Sequence, residues 1–128
     1  MKAWTDIEQS IKLKEILSIE SADMYWLNRH IDLTETKYEI FVVDKSNKYV
    51  DFFKSYAVAV ENNEIIPCWS LAALLDILPE SMLTQFSEDK WNVAIFDKDN
   101  HFKEECFADN PIDCCYEMIL KLHEQKLL

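Results

Sequence analysis

The chain has 128 residues and not one glycine. At the usual frequency of about 7%, roughly nine would be expected. Motifs that use glycine to bring backbone amides up to a phosphate are therefore excluded, as are the dinucleotide fingerprint and the G-x-S-x-G elbow. Tight turns that need a positive φ must fall to Asn or Asp, the next most tolerant residues. Asn28, Asn47, Asn62 with Asn63, Asn100 and Asn110 thus mark where the chain is expected to reverse.

A chain of this length with 49% hydrophobic residues can bury roughly two-thirds of its unfolded surface around one core, so a single domain over 1–128 is expected. No apolar run approaches the roughly 20 residues of a membrane span. The stretch MKAWTDIEQSIKLKEIL alternates charged and apolar residues at helical spacing and lacks the features of a signal peptide, which points to the cytoplasm. The formal charge of −11, from 24 acidic and 13 basic side chains, repels phosphate backbones, so direct nucleic-acid binding is not expected.

Trp4-Thr5 with Glu8 has the form of a capping box, and a helix from about Thr5 to Leu17 should follow, with Ile7, Ile11 and Leu17 inward. A second helix start lies at Trp69-Ser70, where Leu71, Leu74, Leu75 and Leu78 form an apolar stripe before Pro79. A third begins at Asn110-Pro111, with Ile112, Cys115, Tyr116, Ile119 and Leu122 inward. Between the last two, runs at 82–86, 91–96 and 102–107 predict an antiparallel meander. The first half offers strands at 22–28, 37–43 and 49–60. The last is ambiguous between strand and helix, and its β-branched and aromatic content favours strand. The class is α+β: antiparallel hairpins packed by three helices.

The halves also resemble one another. KYEIFVVDKSNKY from Lys37 aligns without a gap on KWNVAIFDKDNHF from Lys90, and Trp4-Thr5 corresponds to Trp69-Ser70, which suggests a tandem helix-plus-three-strand pseudo-repeat with halves 3–60 and 68–128. The competing explanation is chance similarity between two hairpins with Asn turns.

Chemical candidates are few. Asp97, Asp99 and His101 resemble the opening of a calcium loop, but Phe102 stands at the sixth position and Ala108 at the twelfth, where glycine and glutamate are required. A turn built from Asp and Asn is the simpler reading. Cys68, Cys106, Cys114 and Cys115 show no metal-ligand spacing and no cationic surroundings that would lower a thiol pKa. His30, His101 and His123 are isolated. No catalytic constellation, cofactor site or metal site is expected.

The blocks EQSIKLKEIL, ESADMYW, IPCWSLAALLDILP and ADNPIDCCYEMILKLHEQKLL together resemble a family of small acidic, uncharacterised proteins from Bacteroidetes-type gut bacteria, their phages and mobile elements. Ala22-Asp23-Met24 and Pro67-Cys68-Trp69-Ser70-Leu71 carry the resemblance most clearly, with Cys68 where alanine is usual. The resemblance implies a setting and no activity. The expected function is a small non-enzymatic interaction or regulatory protein with a protein partner, and a homodimer is open to it. Trp26, Arg29 and His30, before the longer connection in the first half, are the candidate partner-binding residues. The alternatives are an enzyme of unrecognised type and an acidic DNA mimic.

Overall fold

Asp6, not Thr5, caps the first helix. In a computed structural model of the chain, the Asp6 carboxylate accepts the Gln9 amide while the Gln9 side chain accepts the Asp6 amide at 3.1 Å, a capping box displaced by one residue from the expected one. The structure describes residues 1–30, 36–44 and 52–128. These form two compact units, Asp6–Trp69 and Met1–Thr5 with Ser70–Leu128.

In the first unit, α1 (Ile7–Ile16) is followed by the antiparallel strands β1 (Met24–His30) and β2 (Thr36–Val42), two short helices α2 (Phe52–Ser55) and α3 (Ala57–Glu61), and β3 (Ile65–Cys68). The sheet order is β2-β1-β3, with Trp26 opposite both Ile40 and Ile66. Helix α1 packs on β3, with Leu13 fully buried. The Trp69 indole donates to the Ser21 hydroxyl at 2.9 Å, so the largest buried side chain of the unit is also hydrogen-bonded.

The strand expected over 49–60 is instead helical in its described part. Phe53 and Val60 are buried while Val58 is 71% exposed, the reverse of what a strand carrying Val58 inward would need. Burial of Phe53 and Val60, one in each of two short helices separated by the exposed Tyr56, prevails over β-propensity, which largely measures packing rather than backbone preference. Residues 49–51, the connection at 31–35 and the turn at Asn47 lie outside the described residues. Strand β3 was not among the expected strands; Pro67 is tolerated within it because β3 lies at a sheet edge.

The second unit follows the expected order: α4 (Leu71–Ile77), β4 (Ser81–Ser87), β5 (Lys90–Phe96), β6 (Phe102–Ala108) and α5 (Pro111–Glu124), the three strands forming a β4-β5-β6 meander. Ser70 caps α4 and Asn110 caps α5, its side chain accepting the Asp113 amide at 2.9 Å ahead of the first-turn Pro111. Helix α5 packs on β5, β6 and α4, burying Ile112, Cys114, Cys115, Met118, Ile119 and Leu122. Trp4 forms an antiparallel bridge with Ser70, so a residue of one segment equated in the proposed repeat pairs with a non-equivalent residue of the other.

The described elements are α+β, as expected. The halves diverge after their second strand. Moving Glu105–Ala108 of β6 back by the offset between Lys37 and Lys90 lands on Phe52–Ser55, which is helix α2, and β2 is a sheet edge whereas its counterpart β5 is central.

Candidate interaction surface

Strand alternation sends Val93 and Ile95 of β5 toward the α5 side and Asn92 and Ala94 to the opposite face, where these two are buried as well, beneath the side chains of the flanking strands. Beside them on that outward face stand Met82 of β4, opposite Ala94, and Phe107 of β6, opposite Asn92. Phe86 shares the parity of Met82, in the stretch where the pairing shifts register between Gln85 and Ser87, and its ring lies 6.1 Å from that of Phe107. The Lys90 ammonium sits 5.9 Å from the Phe86 centroid and 5.3 Å from that of Phe107, a cation over two rings. Met82, Phe86 and Phe107 are 58%, 61% and 49% exposed. The Asn92 side chain donates to the Cys106 carbonyl at 3.2 Å and to Glu105 at 3.3 Å, which fixes the polar centre of the face against β6.

Sequence reasoning located these strands and not this face. A slip of one residue in register exchanges the two faces of a strand, and β4 and β6 both carry apolar residues on each side. The available signal was Phe86, Phe102 and Phe107 in strands whose inward positions were already supplied by Leu83 and Cys106.

Trp26 and Arg29 lie on β1 at positions of opposite parity and so project from opposite faces, while His30 ends the strand with its backbone paired to Thr36. Arg29 is exposed, 3.2 Å from Glu39 and over the Phe41 ring at 5.8 Å. The structure therefore does not bring Trp26 and Arg29 onto one surface.

Asp97, Asp99 and His101 do come together, with one ligand-type atom from each within 4.8 Å of the others. One carboxylate oxygen of Asp97 accepts the amides of Asp99 and His101, both at 2.9 Å, and the other lies 3.6 Å from the His101 ring and 3.7 Å from Lys103. The backbone bond from His101 holds the Asp97 carboxyl below its usual pKa. Asn100, with φ 62°, supplies the left-handed position. The cluster is built as a glycine-free turn.

A cleft of about 440 Å³ in the same unit is lined by Ile95, Phe96, Leu122 and Leu127, with Glu104 and Gln125 on its polar side. Glu104 already accepts from Lys121 and Gln125, both at 3.1 Å, and these contacts, Gln125 first, lower its pKa. Glu104 in turn raises the pKa of Lys121. Burial pushes the thiols up, Cys114 to about 11 and Cys115 to about 12, with Cys106 also raised. Each of these displacements moves a group away from neutrality, the opposite of what acid–base or thiolate catalysis requires.

No family model, curated protein or solved structure matches the chain. Among the described residues no helix is long and apolar enough to cross a membrane.

Proposed function

We propose that this chain is a small non-enzymatic interaction protein that binds a protein partner through the outward face of β4-β5-β6. The observation that carries the reading is the exposure of Met82, Phe86 and Phe107 together on one sheet face, with Lys90 between the two rings. Exposed aromatic side chains at a fixed surface are the usual anchors of protein recognition, and Lys90 adds a cation that an acidic or carbonyl-bearing partner can meet. The displaced pKa values support the reading against an enzyme, because Cys114, Cys115, Asp97 and Glu104 are all held in their resting protonation states near neutral pH. The charge of −11 supports a protein partner over a nucleic acid. We take its setting to be the cytoplasm of a gut bacterium, in the service of a phage or mobile element; the sequence resemblance supports the host, and the charge pattern and lack of a long apolar run support the compartment.

The test is substitution at Phe107, which lies on β6 and faces out. Phe107→Glu should leave the fold intact and abolish capture of the partner. Undiminished capture of every bound protein by Phe107→Glu would contradict the reading.

A further inference from the structure

The described sheets have four edges, and three of them are protected. Strand β2 carries Lys37 and Glu39, β3 is four residues long and contains Pro67, and β6 carries Lys103, Glu104 and Glu105. These are the devices by which edge strands avoid pairing with other chains. Strand β4, SMLTQFS, is seven residues long and has neither a charge nor a proline, in a chain that is 29% charged. Its pairing with β5 shifts register between Gln85 and Ser87, at Phe86, which is the one edge device it carries.

We infer that β4 is a homodimer seam, on which a second copy of this chain adds its own β4 antiparallel to make one six-stranded sheet. The strand is complementary to itself. Pairing about a two-fold axis at Thr84 sets Met82 opposite Phe86 of the second copy, twice by symmetry, and Ser81 opposite Ser87. Met82 and Phe86 are both exposed on the same outward face, as directly opposed residues must be. The backbone groups of β4 that point away from β5 gain partners in the same step. The seam joins the two outward faces side by side, so this inference rests on the interaction reading and names a second copy as one of the partners.

The charges flanking the strand give the dimer a signature. In this register Glu80 and Glu88 of the second copy, the latter in the turn that follows β4, flank each end of the seam, and both side chains are exposed. Salt screens such pairs within about 8–10 Å at physiological ionic strength, so self-association tightens as salt is raised. Binding to a partner of opposite charge would weaken instead.

Sedimentation equilibrium of the full chain tests the seam. The wild type should be a dimer whose dissociation constant falls with added NaCl. Met82→Lys and Phe86→Glu, each removing two symmetric cross-strand pairs, should raise that constant about tenfold. The double variant M82K/F86E should recover most of the loss, since each new lysine then faces a new glutamate. Recovery in the double variant is specific to this register and is not expected of a variant that merely misfolds. A wild type that is monomeric at all salt concentrations, or a dimer indifferent to both single substitutions, overturns the seam. Sensitivity of partner capture to Phe107→Glu would survive that result, because Phe107 lies on β6, on the far side of β5 from the seam.

Discussion

Asp97 and His101 close their turn reciprocally: the Asp97 amide donates to the His101 carbonyl at 2.9 Å, and the Asp97 carboxylate accepts the His101 amide at 2.9 Å. With the same oxygen also holding the Asp99 amide, the carboxylate does the work that a glycine-containing turn leaves to the backbone. A cation would have to compete with two amide donors and with Lys103. Millimolar calcium or micromolar zinc should therefore leave the thermal midpoint of the protein unchanged; a concentration-dependent rise would show that the three side chains serve as ligands.

The pH dependence of stability follows from the same carboxylate. Its folded-state pKa is depressed, so its contribution is complete above the unfolded value of about 3.9 and is lost as pH falls through the folded value. Thermal midpoints of wild type and Asp97→Asn should be nearly parallel from neutral pH down to about pH 5 and should converge in more acid solution. A gap between them that stays constant down to pH 2 would contradict the assignment.

Asn100 and Asn63 hold φ of 62° and 58° in a chain without glycine. Alanine in that region costs more than asparagine, by about 1 kcal/mol. Asn100→Ala should lower stability by about that amount in chemical denaturation and by more than Asp99→Ala, whose side chain is exposed, whereas Asn100→Gly should be close to neutral. Asn63→Ala should cost at least as much, because the Asn63 side chain also accepts from Lys14 at 2.6 Å.

Cys114 and Cys115 are buried on α5 with thiol pKa values near 11 and 12. Alkylation of the native protein at pH 8 should be much slower at both than at a free thiol and should accelerate on unfolding, as read by mass spectrometry of the modified peptides. Rapid labelling of either in the folded chain would reopen the nucleophile question.

The sequence was most legible where a local signal and the tertiary outcome coincide. Asn110-Pro111 and Ser70 cap helices as their chemistry predicts, and the strands of the second sheet lie where the apolar runs lie. It was least legible where tertiary context decides. Pro67 fits a strand only because β3 is an edge, and Phe53 and Val60 make short helices out of a β-prone run. Thr5 is buried next to the Trp4–Ser70 bridge, so the cap passes to Asp6. Of the turn asparagines, Asn63 and Asn100 take positive φ as expected, Asn110 caps α5, and Asn28 lies within β1; Lys126, with φ 60°, takes a position no sequence rule assigns to lysine. The outward face of Phe86, Lys90 and Phe107 depends on strand register and on an irregular pairing, neither of which residue order alone determines.

The central claim is that this face binds a protein. Its most direct test is quantitative mass spectrometry of proteins captured from source cells by the wild type and by Phe107→Glu, with melting curves confirming that both are folded. We predict at least one protein recovered with the wild type and depleted about tenfold or more with the variant. Equal recovery by both chains, or no protein enriched by the wild type, would contradict it.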